Sequence, residues 1–118
     1  YGSQPADLIH GITKSMIVNY NDYKDGAPGA DGLELKRQNL SWVLPYHEGA
    51  VRARKEAGGW TPAAQAHNDG LLKRQATLQT AWADFSKASP PEDKDAFYAA
   101  WMAKRKDALT KAGMDPVF

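Results

Sequence analysis

The 118-residue chain is long enough for one modest hydrophobic core without disulfides or metal staples, and 42% apolar residues, including four Trp, five Tyr and three Phe, exclude a wholly disordered chain. A net charge of +1, from 15 Lys and Arg against 14 Asp and Glu, excludes a strong global field for nucleic acid or an anionic membrane. The absence of cysteine excludes disulfides, thiolate metal sites and cysteine nucleophiles, and no apolar run approaches the ~18 residues that a membrane span needs.

Residues 5–20, PADLIHGITKSMIVNY, place Leu8, Ile9, Ile12, Met16 and Tyr20 at helical spacing, with Pro5 and Asp7 suited to a first turn. The spacing predicts a first amphipathic helix. NDYKDGAPGADG then reads as a loop or linker, the most flexible internal stretch. From Asp31 the pattern restarts, with Asp31 and Glu34 as a capping pair and Leu33, Leu40, Val43 and Leu44 on one face, predicting a second helix. Pro45 predicts a kink there, or a restart with Pro45 in a new first turn over Tyr46–Ala57, ended by Gly58-Gly59.

Thr61-Pro62 is an N-cap followed by proline at the first helical position. Leu71, Leu78 and Phe85, joined by Gln75 and Trp82, mark the stripe of a long third helix, or of a short helix joined to a long one. DGLELKRQNL (31–40) and DGLLKRQATL (69–78) share most of their letters. Their later apolar residues fall out of phase, so the match reads as one helix-start vocabulary used twice and predicts that Asp69 begins the main third helix. Ser89-Pro90-Pro91-Glu92 predicts the last helix start; Phe97, Tyr98, Trp101, Met102 and Leu109 form its stripe, and Gly113 stops it. No stretch alternates with period two. The expected fold is all-α, a single-domain antiparallel bundle of four to five helices over 1–118 with a kink or break at Pro45.

Chemistry-bearing motifs are sparse. Calcium-loop alignments on Asp31-Gly32 or Asp69-Gly70 leave Gln38 or Ala76 where a bidentate acid belongs. No Gly-x-Ser-x-Gly, Walker or Rossmann loop is present, and no cofactor is expected. His10, His47 and His67 are separated in sequence and would form a metal or ligand site only if a bundle interior brought them together. The segment VLPYHEGAVRARKEAGGWT resembles the catalytic-glutamate region of phage-type muramidases. That resemblance implies a small secreted or toxin-like hydrolase with Glu48, or its neighbour His47, as acid or base. The chain departs from the pattern in a short spacing between glutamate and Gly-Gly, in the lack of a following hairpin, and in the lack of a second acid.

Basic clusters at Lys36-Arg37, Arg52 to Lys55, Lys73-Arg74 and Lys104 to Lys106 have aromatic residues nearby, the combination single-strand binders use, which keeps nucleic acid as a secondary reading, but they are interleaved with acids, the usual pattern of solvated helix faces. Trp42, Trp82 and Trp101 fall on apolar stripes and read as core. Trp60, in a Gly-Gly-Trp-Thr-Pro turn, reads either as a staple for the next helix or as a contact anchor. The expectation that follows is a soluble binding or accessory protein that recognises another protein through Tyr46, Arg52, Arg54 and Trp60. The start at Tyr1 reads as a mature product or a fragment, giving an expectation of a bacterial, periplasmic or secreted protein, otherwise cytoplasmic.

Overall fold

The computed structural model describes residues 2–117, and among them every regular element is a helix, the all-α class the periodicity predicts. None of these helices is long and apolar enough to cross a membrane. Chain contacts gather the residues into two compact units, Tyr1–Asp69 and Gly70–Phe118. Each is described by itself.

In the N-terminal unit, α1 spans Ala6–Val18, with Pro5 at its N-cap and Asp7 in its first turn. The face it packs inward is Ala6, Ile9, His10, Thr13 and Ile17. The expected stripe is thereby corrected: Leu8, Ile12 and Met16 are about half exposed. The reason lies in α3, Glu48–Glu56, which runs alongside α1 in the same direction. Gly49 sits against Ala6 and His10, Arg52 reaches Asp7 at 2.6 Å, and Glu56 reaches His10 at 2.9 Å and Lys14 at 3.1 Å. A Cβ on Gly49 would collide with the Ala6 carbonyl and lie 2.8 Å from the His10 amide nitrogen. Backbones this close turn the side of α1 that carries Ala6 and His10 towards α3 and leave Leu8, Ile12 and Met16 outward.

The ion pairs along this contact give it a pH dependence. The hydrogen bond from Lys14, then that from His10, holds the Glu56 carboxyl below its ordinary range, and Arg52 does the same for Asp7. A carboxylate depressed in the folded state contributes stability above its unfolded value, about pH 4, and loses it as pH falls through the folded value. Urea midpoints are expected to fall between pH 6 and pH 3, with Glu56→Gln flattening the profile. Because these groups face solvent, 0.5 M salt is expected to shrink the change. An identical profile for Glu56→Gln would contradict this origin.

α2 is a single turn, Tyr20–Tyr23. The following Gly/Asp-rich loop is tied down: the Tyr20 hydroxyl donates to the Asp31 carbonyl, the Tyr23 hydroxyl to the Met16 carbonyl, and Arg37 pairs with the Asp31 carboxylate. The second helix expected from Asp31 does not form. Two short 3-10 turns, Ala30–Leu33 and Leu35–Arg37, lead into irregular chain up to His47. The carbonyls of Asp31 and Glu34 accept from the amides three residues on, Glu34 and Arg37, in 3-10 and not α fashion. The carbonyls of Asp31, Gly32 and Glu34 also accept from the Tyr20 hydroxyl, Arg37 and the Gln38 side-chain amide, bonds that hold the chain in this shape. Pro45 therefore neither kinks a helix nor opens one. α3 starts at Glu48, capped by His47, whose Nδ1 accepts from the Gly49 amide.

α3 ends in a Schellman turn: Gly58, at φ +70°, donates to Lys55 and Gly59 to Arg54. Gly59 then lies against the Leu35 side chain, where a Cβ would come within 2.6 Å. α4 spans Pro62–Lys87, with Thr61 Oγ1 accepting from the Ala64 amide as the cap predicts. α4 is unbroken, which corrects the expected start at Asp69. Once a capped, alanine-rich first turn exists, Asp69-Gly70 is taken up as helix interior by propagation.

In the C-terminal unit, the later part of α4 pairs with α5, Lys94–Lys111. Trp82 and Phe85 meet Phe97 and Trp101 with ring centroids 4.9 to 6.2 Å apart, mostly edge to face. Ala81, Phe85 and Leu109 are buried, Leu109 completely. Tyr98 and Met102, expected on the α5 stripe, are exposed because the seam follows Phe97, Trp101, Arg105 and Leu109, about 100° away by helical period. Ser89 does not cap α5. It sits at φ +52°, outside the extended conformation a cap requires, and Asp93 takes the role, its Oδ1 accepting from the Ala96 amide at 2.9 Å.

Candidate functional site

The segment between the 3-10 turns and α3 carries three consecutive large apolar side chains in solvent: Trp42, Val43 and Leu44 are 55%, 59% and 66% exposed. Trp42 was expected in the core. It is outside because the helix that would have turned it inward does not form. The loop is nonetheless fixed at both ends by α4. His67 Nε2–H donates to the Trp42 carbonyl at 2.7 Å, and the Tyr46 amide donates to Asn68 Oδ1 at 2.7 Å. Asn68 is only 4% exposed. The Tyr46 hydroxyl closes the loop on itself by donating to the Asn39 carbonyl, and the Ser41 amide donates to Asn39 Oδ1.

Behind the loop stand three of the four expected contact residues. The Tyr46 ring meets the Trp60 ring edge-on at 5.4 Å, and the Arg54 guanidinium lies 4.9 Å from the Tyr46 ring centre. Arg54 Nε and Nη1 are buried without an acceptor, so the tyrosine ring face is the partner for that part of the cation. Trp60 Nε1–H donates to Gln65, whose amide donates on to Asp69. Trp60 thus acts as a staple across the α4 start. Tyr46, Arg54 and Trp60 are half-buried and form a prop for the loop, while Arg52 stands apart on Asp7. Sequence reasoning put Val43 and Leu44 on a helix face and not in solvent; the signal for an exposed run was three apolar residues just before a proline.

The alternative sites are not assembled. His10 bonds to Glu56, His67 to the Trp42 carbonyl, and His47 uses Nδ1 as a helix cap while Nε2–H donates to the Gln4 carbonyl at 3.1 Å. Among the described residues no three His, Asp or Glu side chains gather as a metal site would require. Glu48 is the exposed first residue of α3, where a carboxylate faces the positive end of the helix dipole. The shallow groove along α1 is lined by Asp7, Leu8, Gly11, Ile12, Ser15 and Met16, so neither Glu48 nor His47 borders it. Comparison with protein-family models, with curated proteins and with solved structures finds no match to this chain.

Proposed function

We propose that this protein is a binding or accessory module that engages another protein through the loop Trp42–Leu44. The observation that carries this reading is three adjacent, solvent-facing apolar side chains on a backbone held by His67 and Asn68. Apolar anchors, tryptophan above all, dominate protein interfaces, and a loop ordered before binding loses little further entropy on contact. The prop of Arg54, Tyr46 and Trp60 supports the reading by fixing the chain where the loop re-enters the fold.

The test is photo-crosslinking from position 43 of the full chain in an extract of its source, with the product identified by mass spectrometry and its affinity then measured by calorimetry. Trp42→Ser and Leu44→Ser are expected to weaken that affinity at least about tenfold each, and Tyr98→Ser, exposed in the other unit, to leave it unchanged. Asn68→Ala removes the acceptor of the Tyr46 amide; it is expected to lower stability by about 1–3 kcal/mol and to weaken the same complex. Unaltered affinity in both Trp42→Ser and Leu44→Ser would overturn the proposal.

A further inference from the structure

We propose that the C-terminal unit carries a second site, a seat for an extended peptide main chain between α4 and α5, which residues 115–117 occupy in cis. α5 ends in a Schellman turn, with Gly113 at φ +68°, the Gly113 amide donating to Thr110 and the Met114 amide to Leu109. The turn sends the chain back along the helix it has just left. There Arg74 Nη1 donates to the Asp115 carbonyl at 2.6 Å, and Arg105 spans the next two carbonyls, Nη1 to Pro116 at 2.9 Å and Nη2 to Val117 at 3.1 Å.

Three successive carbonyls are thus read by two cations, one from each helix. Asp115 and Val117 are exposed and Pro116 is half-buried, so the strap lies across the surface of the helix pair and is held there through its main chain. Pro116 has no amide hydrogen, and the Val117 amide is turned inward onto Asp115 Oδ1 at 2.7 Å, so the strap offers its acceptors outward to the arginines. Such a bent, acidic, proline-containing segment is the ligand this seat fits.

Two features distinguish the arrangement from ordinary tail packing. Arg74 and Arg105 lie on the helix rows that elsewhere bury Ala81 and Phe85 and half-bury Leu78 on α4, and bury Leu109 and half-bury Trp101 on α5, positions where an aliphatic residue would serve a plain hairpin. Arg74 Nη2 is also buried without an acceptor, so the seat has donor capacity that the strap does not use. An acidic extended segment of a partner protein would place a carboxylate at that unused donor. The strap is then a resident competitor, and the affinity for a peptide in trans is reduced by the fraction of time the strap is seated.

The experiment leaves the chain full length and removes only the reversal. Gly113→Val places a β-branched residue at a left-handed position and unseats the strap without touching either arginine. Binding of the peptide acetyl-Met-Asp-Pro-Val-amide, followed by heteronuclear NMR of the arginine side chains, is expected to be at least about tenfold tighter to Gly113→Val than to the unaltered chain, and to be lost when Arg105→Met is added. Equal affinity of the two chains, or binding that survives Arg105→Met, would overturn the proposal. Should Gly113→Val fail to fold, Gly113→Ala imposes a smaller strain at the same φ and is expected to give a gain of about fivefold, read in the same way.

Discussion

Gly49→Ala is expected to destabilise the N-terminal unit by about 3 kcal/mol, the upper end for overpacking, because the added methyl meets backbone and not a movable side chain. The sign is what makes the result informative. Glycine to alanine inside a helix ordinarily stabilises by about 0.5–1 kcal/mol, and that is the expectation for Gly11→Ala in α1 and Gly70→Ala in α4, where nothing lies within 4 Å of the new atom. At position 49 the new atom would drive apart the α1 and α3 backbones, and with them the bonds of Arg52 to Asp7 and of Glu56 to His10 and Lys14. Urea denaturation of the three variants, with amide exchange in α1 as the local readout, tests this. A stabilised Gly49→Ala would refute the close parallel contact of α1 with α3.

Leu109→Ala is expected to cost about 2–5 kcal/mol in the C-terminal unit. Leu109 is the largest side chain among the described residues that is completely buried, and a pair of helices has few other atoms with which to refill the space. Its carbonyl also accepts from the Met114 amide in the turn that seats the strap. The substitution is therefore expected to raise amide exchange at Val117 as well as to lower the urea midpoint. Leu72→Ala is the comparison: that side chain is 46% exposed, and a change of no more than about 0.5 kcal/mol is expected. Equal losses at the two leucines would contradict the described core.

Much of the helical framework was legible because its signals are local. Thr61 caps α4, Gly58 and Gly113 stop α3 and α5 in left-handed turns, and Pro5 precedes α1. Each works through atoms within a few residues, so the letters suffice. The α5 start was misplaced by a few residues because Ser89-Pro90-Pro91-Glu92 and Asp93 offer two overlapping caps, and only the backbone conformation at Ser89 separates them. The candidate site was legible in part. Tyr46, Arg54 and Trp60 do assemble, but their role as a prop depends on which side of each ring faces the fold, and periodicity gives no information inside a segment that is not periodic.

The paired words at 31–40 and 69–78 mark the limit most clearly. By itself the sequence determined an all-helical chain, since apolar spacing, caps and glycine stops all act at short range. It gave both words the same local preference, yet one is 3-10 turns and loop while the other is the middle of α4. Only the tertiary structure decided between them. At Asp31 bonds from Tyr20, Arg37 and Gln38 hold the chain in 3-10 turns, whereas at Asp69 a helix already capped at Thr61 passes through. With the chain held in 3-10 turns there, no α-helix propagates onward, and Trp42–Leu44 stay outside a helix and in solvent.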